Sequence, residues 1–376
     1  MILENIGMWG MTGQQRMVIE NGRIQAIQSM QENRTRVNGG SIQFLQAIAI
    51  PGLINSHDHL DFNLFPLLAN RVYNNYTEWA LDIRTSGKKV IDEVLKIPEA
   101  LRVEWGCYKN LLNGFTTVVN HGKRLVIPNT PVDVYQSCTS LHSTAFEKYW
   151  KLKLNNPLNR ETVVAMHIGE GRDEMASKEI NAVTRWNLAG KKIVAVHGIA
   201  MNEKQSQQFK GLVWCPASNE KLIGETAAVG ELGQTIPVVF GTDSTLSAGW
   251  NAWTHFRIAI RKPGITEDKL LSMLTSTPAD LWNMKGKGRL LENACADVVV
   301  IEQKEDLFEL NPENILMVIQ NGKIRLFDES LAAQIQLPSF AKLTINGRVK
   351  FVEGDLPGLI NRIRSYCSSI DFPVSI

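Results

Sequence analysis

The chain has 376 residues, of which 44% are hydrophobic and 21% charged. These values lie near globular averages, and the length suits one large domain or two ordinary ones. Forty basic residues against 38 acidic ones leave a formal charge of +2, which gives no electrostatic ground for a nucleic acid or an anionic membrane as partner.

Residues 1–50 read as short strands and turns. "RMVIENGRIQAI" alternates around Asn21-Gly22, and "LMVIQNGKIRLF" repeats the pattern around Asn321-Gly322. Asn-Gly between alternating runs is a two-residue hairpin signal, and a shared "VI-x-N-G-(R/K)-I" at both ends predicts that the termini meet in one small β domain. Between them, apolar β-rich runs alternate with stretches of helical period, for example "GFTTVVN", "TVVAM", "KIVAV", "KGLVWC" and "TIPVVF". Continuous apolar strands alternating with helices predict a parallel sheet covered on both faces. The expected fold is α/β: a TIM-like (β/α)8 barrel over residues 50–289, plus a small β-sandwich domain from residues 1–49 and 290–376. No apolar run approaches the ~20 residues that span a bilayer. "MILENIGMWG" does not read as a secretory signal, and five scattered cysteines without CxxC suit a reducing compartment. These features predict a cytoplasmic protein.

The chemistry lies at the strand ends. "PGLINS" runs into His57-Asp58-His59, "TVVAM" into His167-Ile168-Gly169-Glu170, "KIVAV" into His197-Gly198, and "IPVVF" into Gly241-Thr242-Asp243. Catalytic groups of a barrel project from the C-terminal ends of different strands. Residues i and i+2 of a strand share a face, so His57 and His59 can both turn to the barrel mouth while Asp58 points away. His57, His59, His167 and Asp243 supply three nitrogens and an oxygen, a set suited to one divalent ion, zinc above all, with iron, nickel or manganese as alternatives. Such an ion lowers the pKa of water to about 7. Glu170 is placed to carry a proton to a leaving nitrogen, and His197 to hydrogen-bond the water or polarise the substrate.

With these motifs assembled, the chain resembles the amidohydrolase superfamily. It looks closest to the branch of cytosine, guanine and S-adenosylhomocysteine deaminases, chlorotriazine hydrolases and imidazolonepropionase. The matching stretches are "PGLINSHDHL", "GFTTVVN", "HIGEG", "VHGIAMNE", "CPASNEKL", "GTDS" and "STPADLW" followed by "GKGRLLENACADVVVI". The resemblance implies metal ligands His57, His59, His167 and Asp243, and catalytic roles for Glu170, His197 and Asp243, with Asp243 also taking the proton of the water. It implies a substrate role for Asn219 in "SN-x-x-L". Two departures stand out. Only about forty residues separate "GFTTVVNHG" from "TVVAMHIGEG", so at least one βα unit is shortened or lost and the barrel is expected to be irregular near residues 123–160. That segment also has no lysine ending a clear strand, which favours one metal over a lysine-bridged pair.

Substrate contacts are expected from Asp61, His121, His142, Asn219 and Trp250, with Trp79 nearby; for His121 and His142 a hydrogen-bonded place in the barrel wall is the competing reading. His255 reads as structural. Phe62 at the position of the last histidine, and the later strand-end motifs, weigh against a metallo-β-lactamase-like HxHxDH. The expected function is hydrolysis of a non-peptide carbon–nitrogen bond in a small cyclic or N-substituted molecule, with deamination and cyclic amide hydrolysis undistinguished. The alternative is a catalytically inactive relative that keeps the fold for assembly or binding. The expected partner is a small-molecule substrate, with a homo-oligomer open.

Overall fold

The computed structural model describes residues 1–30, 40–127, 130–159, 163–336 and 338–376. The chain opens with β1 (Ile2–Met8), β2 (Gln15–Glu20), β3 (Arg23–Ser29), β4 (Ser41–Gln43) and β5 (Ala47–Pro51). Two parallel sheets follow. One contains β6 (Leu53–Asp58), β7 (Phe115–Asn120) and β8 (Asp133–Tyr135). The other contains β9 (Cys138–Leu141), β10 (Val163–Ile168), β11 (Ile193–His197), β12 (Gly211–Trp214) and β13 (Val238–Phe240), side by side in chain order.

Apolar residues on both faces explain the burial of these strands. Ile54, Val119, Ala165, Val194, Val196, Val213 and Val239, drawn from both sheets, form one apolar cluster. The alternating partners Val118, Val164, Ile193, Ala195 and Leu212 join a second cluster with residues of the surrounding helices. Parallel strands that must pack on both sides have no room for a polar face.

The irregular segment has a simple cause. Only Gln136 and Ser137 separate β8 from β9; β8 pairs with β7, and β9 with β10, all in parallel. One broken strand therefore stands between β7 and β10, where a regular repeat has two strands with their helices. The stretch 121–162 is too short for two more units of about 30 residues each. Within it, positions 128, 129 and 160–162 lie outside the described residues.

The ends of β6 and β13 are tied beyond their ladders. Asp243 N donates to His57 O at 3.0 Å, and Thr242 N donates to the Asn55 side chain at 3.0 Å. Gly241 permits this approach, because a Cβ there would lie 2.8 Å from His57 Cβ and 2.9 Å from Cys215 Sγ. Between β6 and β7 run α1 (Tyr76–Ser86), α2 (Lys88–Leu95) and α3 (Glu99–Leu112). The Asn75 side chain caps α1 by accepting from Glu78 N. Helix α3 presses Gly106 onto Leu60 O, which a Cβ would meet at 2.2 Å.

β14 (Val298–Glu302), β15 (Ile315–Gln320), β16 (Lys323–Asp328), β17 (Phe340–Ile345) and β18 (Arg348–Glu353) return to the N-terminal strands. Together they form one hydrogen-bonded sheet of ten, β14 pairing with β5, rather than two separate sheets. Both Asn-Gly hairpins are present, with φ of 51° and 75° at Asn21-Gly22 and 52° and 75° at Asn321-Gly322, as a type I′ turn requires. The two turns meet: Ala296 N donates to Gly22 O, and Gly322 N to Ala296 O, each at 2.9 Å. Among the described residues no helix is long and apolar enough to cross a membrane.

Candidate metal centre

Six of the seven histidines converge at the C-terminal ends of the parallel strands. Ring centroids of His57 lie 5.0 Å from His59, 4.9 Å from His121, 4.9 Å from His167 and 5.8 Å from His197. Those of His142 and His167 are 4.9 Å apart. Local backbone explains how each ring arrives. Ala165 belongs to the inner cluster, so His167, two residues on, shares its face. His197 follows inner-facing Val196 and would point to the opposite face in a regular strand. Its φ of +71° breaks the alternation, and Asp243 has φ +56°. Left-handed backbone at non-glycine residues costs about 1–3 kcal/mol each and clusters at functional sites.

The donor atoms face one another. His57 Nε2 is 3.2 Å from His167 Nε2 and 3.9 Å from Asp243 Oδ1, and His59 Nε2 is 3.8 Å from the same oxygen. Two overlapping sets, His57/His59/Asp243 and His57/His121/His167, each place one ligand atom per residue within 4.8 Å of the others. The outer partners fit a cation. His167 Nδ1 faces the His142 carbonyl at 2.8 Å, so its proton sits there and Nε2 keeps its lone pair. Asp243 Oδ2 accepts from Ser218 at 2.8 Å and Ser247 at 2.7 Å, and Oδ1 accepts from Ser244 N at 2.8 Å. The donor set thus fits one divalent ion.

Electrostatics agree. Burial, then the neighbouring imidazoles, hold His57, His121 and His167 well below the ordinary histidine value. His142 falls to about 4 for the same leading reason. These rings are neutral near pH 7, as ligands must be. Burial would raise Asp243, but His59, His197, Ser247 and Ser218 bring it below the usual carboxylate range. Glu170 is pushed well above that range by burial, then by the charges of Asp243 and Glu179. Its Oε2 lies 3.6 Å from His197 Nε2, while His197 Nδ1 is 2.7 Å from Asn219 Oδ1.

A cavity of about 400 Å³ opens above this floor, lined at its base by His59, His142, His167, Glu170, His197 and Asp243. Its walls are Phe62, Phe65, Tyr76, Trp79, Ile83, Ile91, Leu95, Phe146 and Leu246, with Arg84 at hand. Most polar atoms on these walls are already engaged. Trp79 Nε1 donates to Leu68 O at 2.7 Å, and Tyr76 OH to Glu179 at 3.0 Å.

Three sequence-derived substrate candidates lie elsewhere. Asp61 faces Arg102 at 3.8 Å, held there because Arg102 also donates to the Asp61 carbonyl. Asn219 is buried and orients His197. Trp250 lines a separate hollow of about 740 Å³ beside Cys367 and Ile370. His142 does line the cavity, whereas His121 lies among the ligands beneath it. His255 Nε2 donates to Gly249 O at 2.9 Å.

Two polar groups were not foreseen. Glu179 occupies the buried stripe Ala176, Glu179, Ile180, Val183 of the helix Glu174–Trp186, and takes hydrogen bonds from Tyr76, Thr144 and Gly169 N. Lys109, buried on α3, donates to Asp58 at 3.0 Å and Thr242 at 3.2 Å. An acid or lysine inside an apolar helical stripe was the available signal for both.

Residues 158–325 match the amidohydrolase family, in accord with the resemblance read from the motifs. No curated protein matches the sequence. Among solved structures, the chain is similar to an adenosine deaminase from Xanthomonas campestris with bound zinc, at 15% identity over 98% of each chain and a TM-score of 0.70. It is similar to an atrazine chlorohydrolase from Arthrobacter aurescens complexed with zinc, at 14% identity over 97% of this chain and 99% of that one, TM-score 0.69. A guanine deaminase from C. acetobutylicum with guanine in its active site shares 14% identity over 86% of this chain and 99% of that one, TM-score 0.65. At such identities the likeness establishes the fold.

Proposed function

From a chain whose residues 158–325 match the amidohydrolase family, we propose a metal-dependent hydrolase of a non-peptide carbon–nitrogen bond in a small molecule. The observation that carries this is the convergence of two overlapping donor sets, His57/His59/Asp243 and His57/His121/His167, at the base of a cavity that Glu170 and His197 also line. His57, His59, His167 and Asp243 would hold one divalent ion, most simply zinc, as in the similar structures. A bound ion of this kind would lower the pKa of its water to about 7 and polarise the bond to be cleaved.

The chain's own groups supply the rest. Asp243, its Oδ2 fixed by two serine hydroxyls, keeps Oδ1 turned to the site as a proton acceptor. His197 donates through Nδ1 to Asn219, which in turn donates to Thr226 at 3.1 Å. Nε2 of His197 therefore carries a lone pair towards Glu170. Glu170, its carboxyl pushed well above the ordinary carboxylate range by burial, is placed to carry a proton to a leaving nitrogen. The aromatic and aliphatic walls support a substrate with a flat or apolar body. Deamination and ring hydrolysis share this machinery.

The ties between β6 and β13 support reading the parallel strands as one barrel over residues 50–289. The joined terminal strands support a separate β domain of residues 1–49 and 290–376. Five unpaired cysteines favour a cytoplasmic setting. The test is a turnover screen of zinc-loaded protein for released ammonia or ring opening, covering purines, pyrimidines, triazines, hydantoins and N-acyl compounds. Turnover lost on chelation and restored by metal is expected. Turnover that survives chelation would remove the metal from the reaction.

A further inference from the structure

Both ring nitrogens of His121 are buried without a hydrogen-bond partner among the described residues, in a residue only 3% exposed. Leaving a buried polar atom unsatisfied costs about 1–3 kcal/mol, so the ring's position needs a reason. The structural His255 leaves only Nδ1 unpartnered and donates through Nε2 to Gly249 O, whereas His121 leaves both nitrogens unpartnered. A substrate contact would line the cavity, and His121 does not.

Its surroundings are other ligands. The His121 centroid lies 4.4 Å from His167, 4.9 Å from His57 and 5.3 Å from His59. One nitrogen each from His57, His121 and His167 falls within 4.8 Å of the other two. Donors about 2.1 Å from a common ion stand up to about 4.2 Å apart, so a small closing motion suffices. The backbone holds the ring there: His121 N donates to Asp58 O at 2.9 Å, and inner-facing Val119 sets its side two residues earlier.

We infer that His121 is a fifth protein donor, so that the ion takes four imidazoles and one carboxylate. This rests on the metal site proposed above. Such a set, with a position for solvent, suits a first-row divalent cation of coordination number above four better than a tetrahedral one.

X-ray absorption on the wild-type protein loaded with one equivalent of Co²⁺ counts imidazoles without any substitution. Four imidazoles are expected, with the weak visible absorption of five- or six-coordinate cobalt. H121A should then show three, a stronger visible band, and metal binding at least 10- to 100-fold weaker, the range set by loss of an outer partner alone. Three imidazoles in the wild type, or an H121A protein with unchanged spectrum and affinity, would overturn the assignment while leaving the proposed function standing. A wild type that takes up no metal would remove both. If H121A fails to fold, the wild-type count decides.

Discussion

Lys109→Met tests the packing beneath the site. Lys109 and Asp58 form an ion pair at 3.0 Å with side chains 1% and 0% exposed. Asp58 also accepts from Asn63 at 2.8 Å and Asn110 at 2.7 Å. Methionine keeps the length and apolar stem of lysine but leaves a dry carboxylate with amide donors alone. Removing one partner of a buried pair costs about 3–5 kcal/mol, against a total stability of about 5–15 kcal/mol. The same ammonium contacts Thr242 and approaches Asp243 O at 3.5 Å, so metal affinity should fall as well. The assay is urea unfolding followed by the nine tryptophans, the shift in midpoint multiplied by an unchanged slope. The Asp58→Asn/Lys109→Met double variant removes the stranded charge and should recover at least about half of the loss. A single-variant loss under about 1 kcal/mol, the size of an exposed pair, or strictly additive effects would refute the reasoning.

Asp243→Asn should fold yet bind metal weakly and lose turnover at least 100-fold; near-wild-type rates would strip Asp243 of its role. Glu170→Gln should keep full metal content while kcat falls about 100- to 10,000-fold, the usual contribution of a proton-transferring group, read by metal analysis beside steady-state kinetics. Gly241→Ala forces a methyl to within 2.8–2.9 Å of His57 and Cys215 and should destabilise by about 1–3 kcal/mol, measured as a fall in Tm. For pH, burial would raise Asp328, but the hydrogen bond and charge of Lys350, with Ser330, hold it below its ordinary value. Its folded pKa is therefore below the unfolded one. The stabilisation is complete above the ordinary carboxylate range and disappears as pH falls through the folded value. Asp328→Asn should flatten the acid limb of Tm against pH; an unchanged limb would contradict this.

The sequence showed most where chemistry and pattern coincide. Strand ends capped by His57, His59, His167, His197 and Asp243 were legible because apolar runs stop abruptly at polar residues. The terminal hairpins were legible because Asn-Gly dictates backbone sign. Side-chain partners across distant elements were not. Asn219 reads as a substrate contact until the fold turns it onto His197, and Trp250 looks close until the chain carries it to another hollow. Lys109 and Glu179 were hidden because nothing in a helical stripe says which buried polar residue has a partner 51 or 10 positions away. The shortened segment was half visible: the spacing excluded two full units, but not that β8 and β9 would follow each other two residues apart, one pairing with β7 and the other with β10.

The most direct measurement is anomalous diffraction from crystals of the zinc-loaded protein. The predicted result is a single strong peak about 2.0–2.2 Å from nitrogens of His57, His59 and His167 and an oxygen of Asp243, beneath the cavity that Glu170 faces. A protein that binds no zinc there, or binds it only at a site remote from these residues, would contradict the proposed metal-dependent hydrolase.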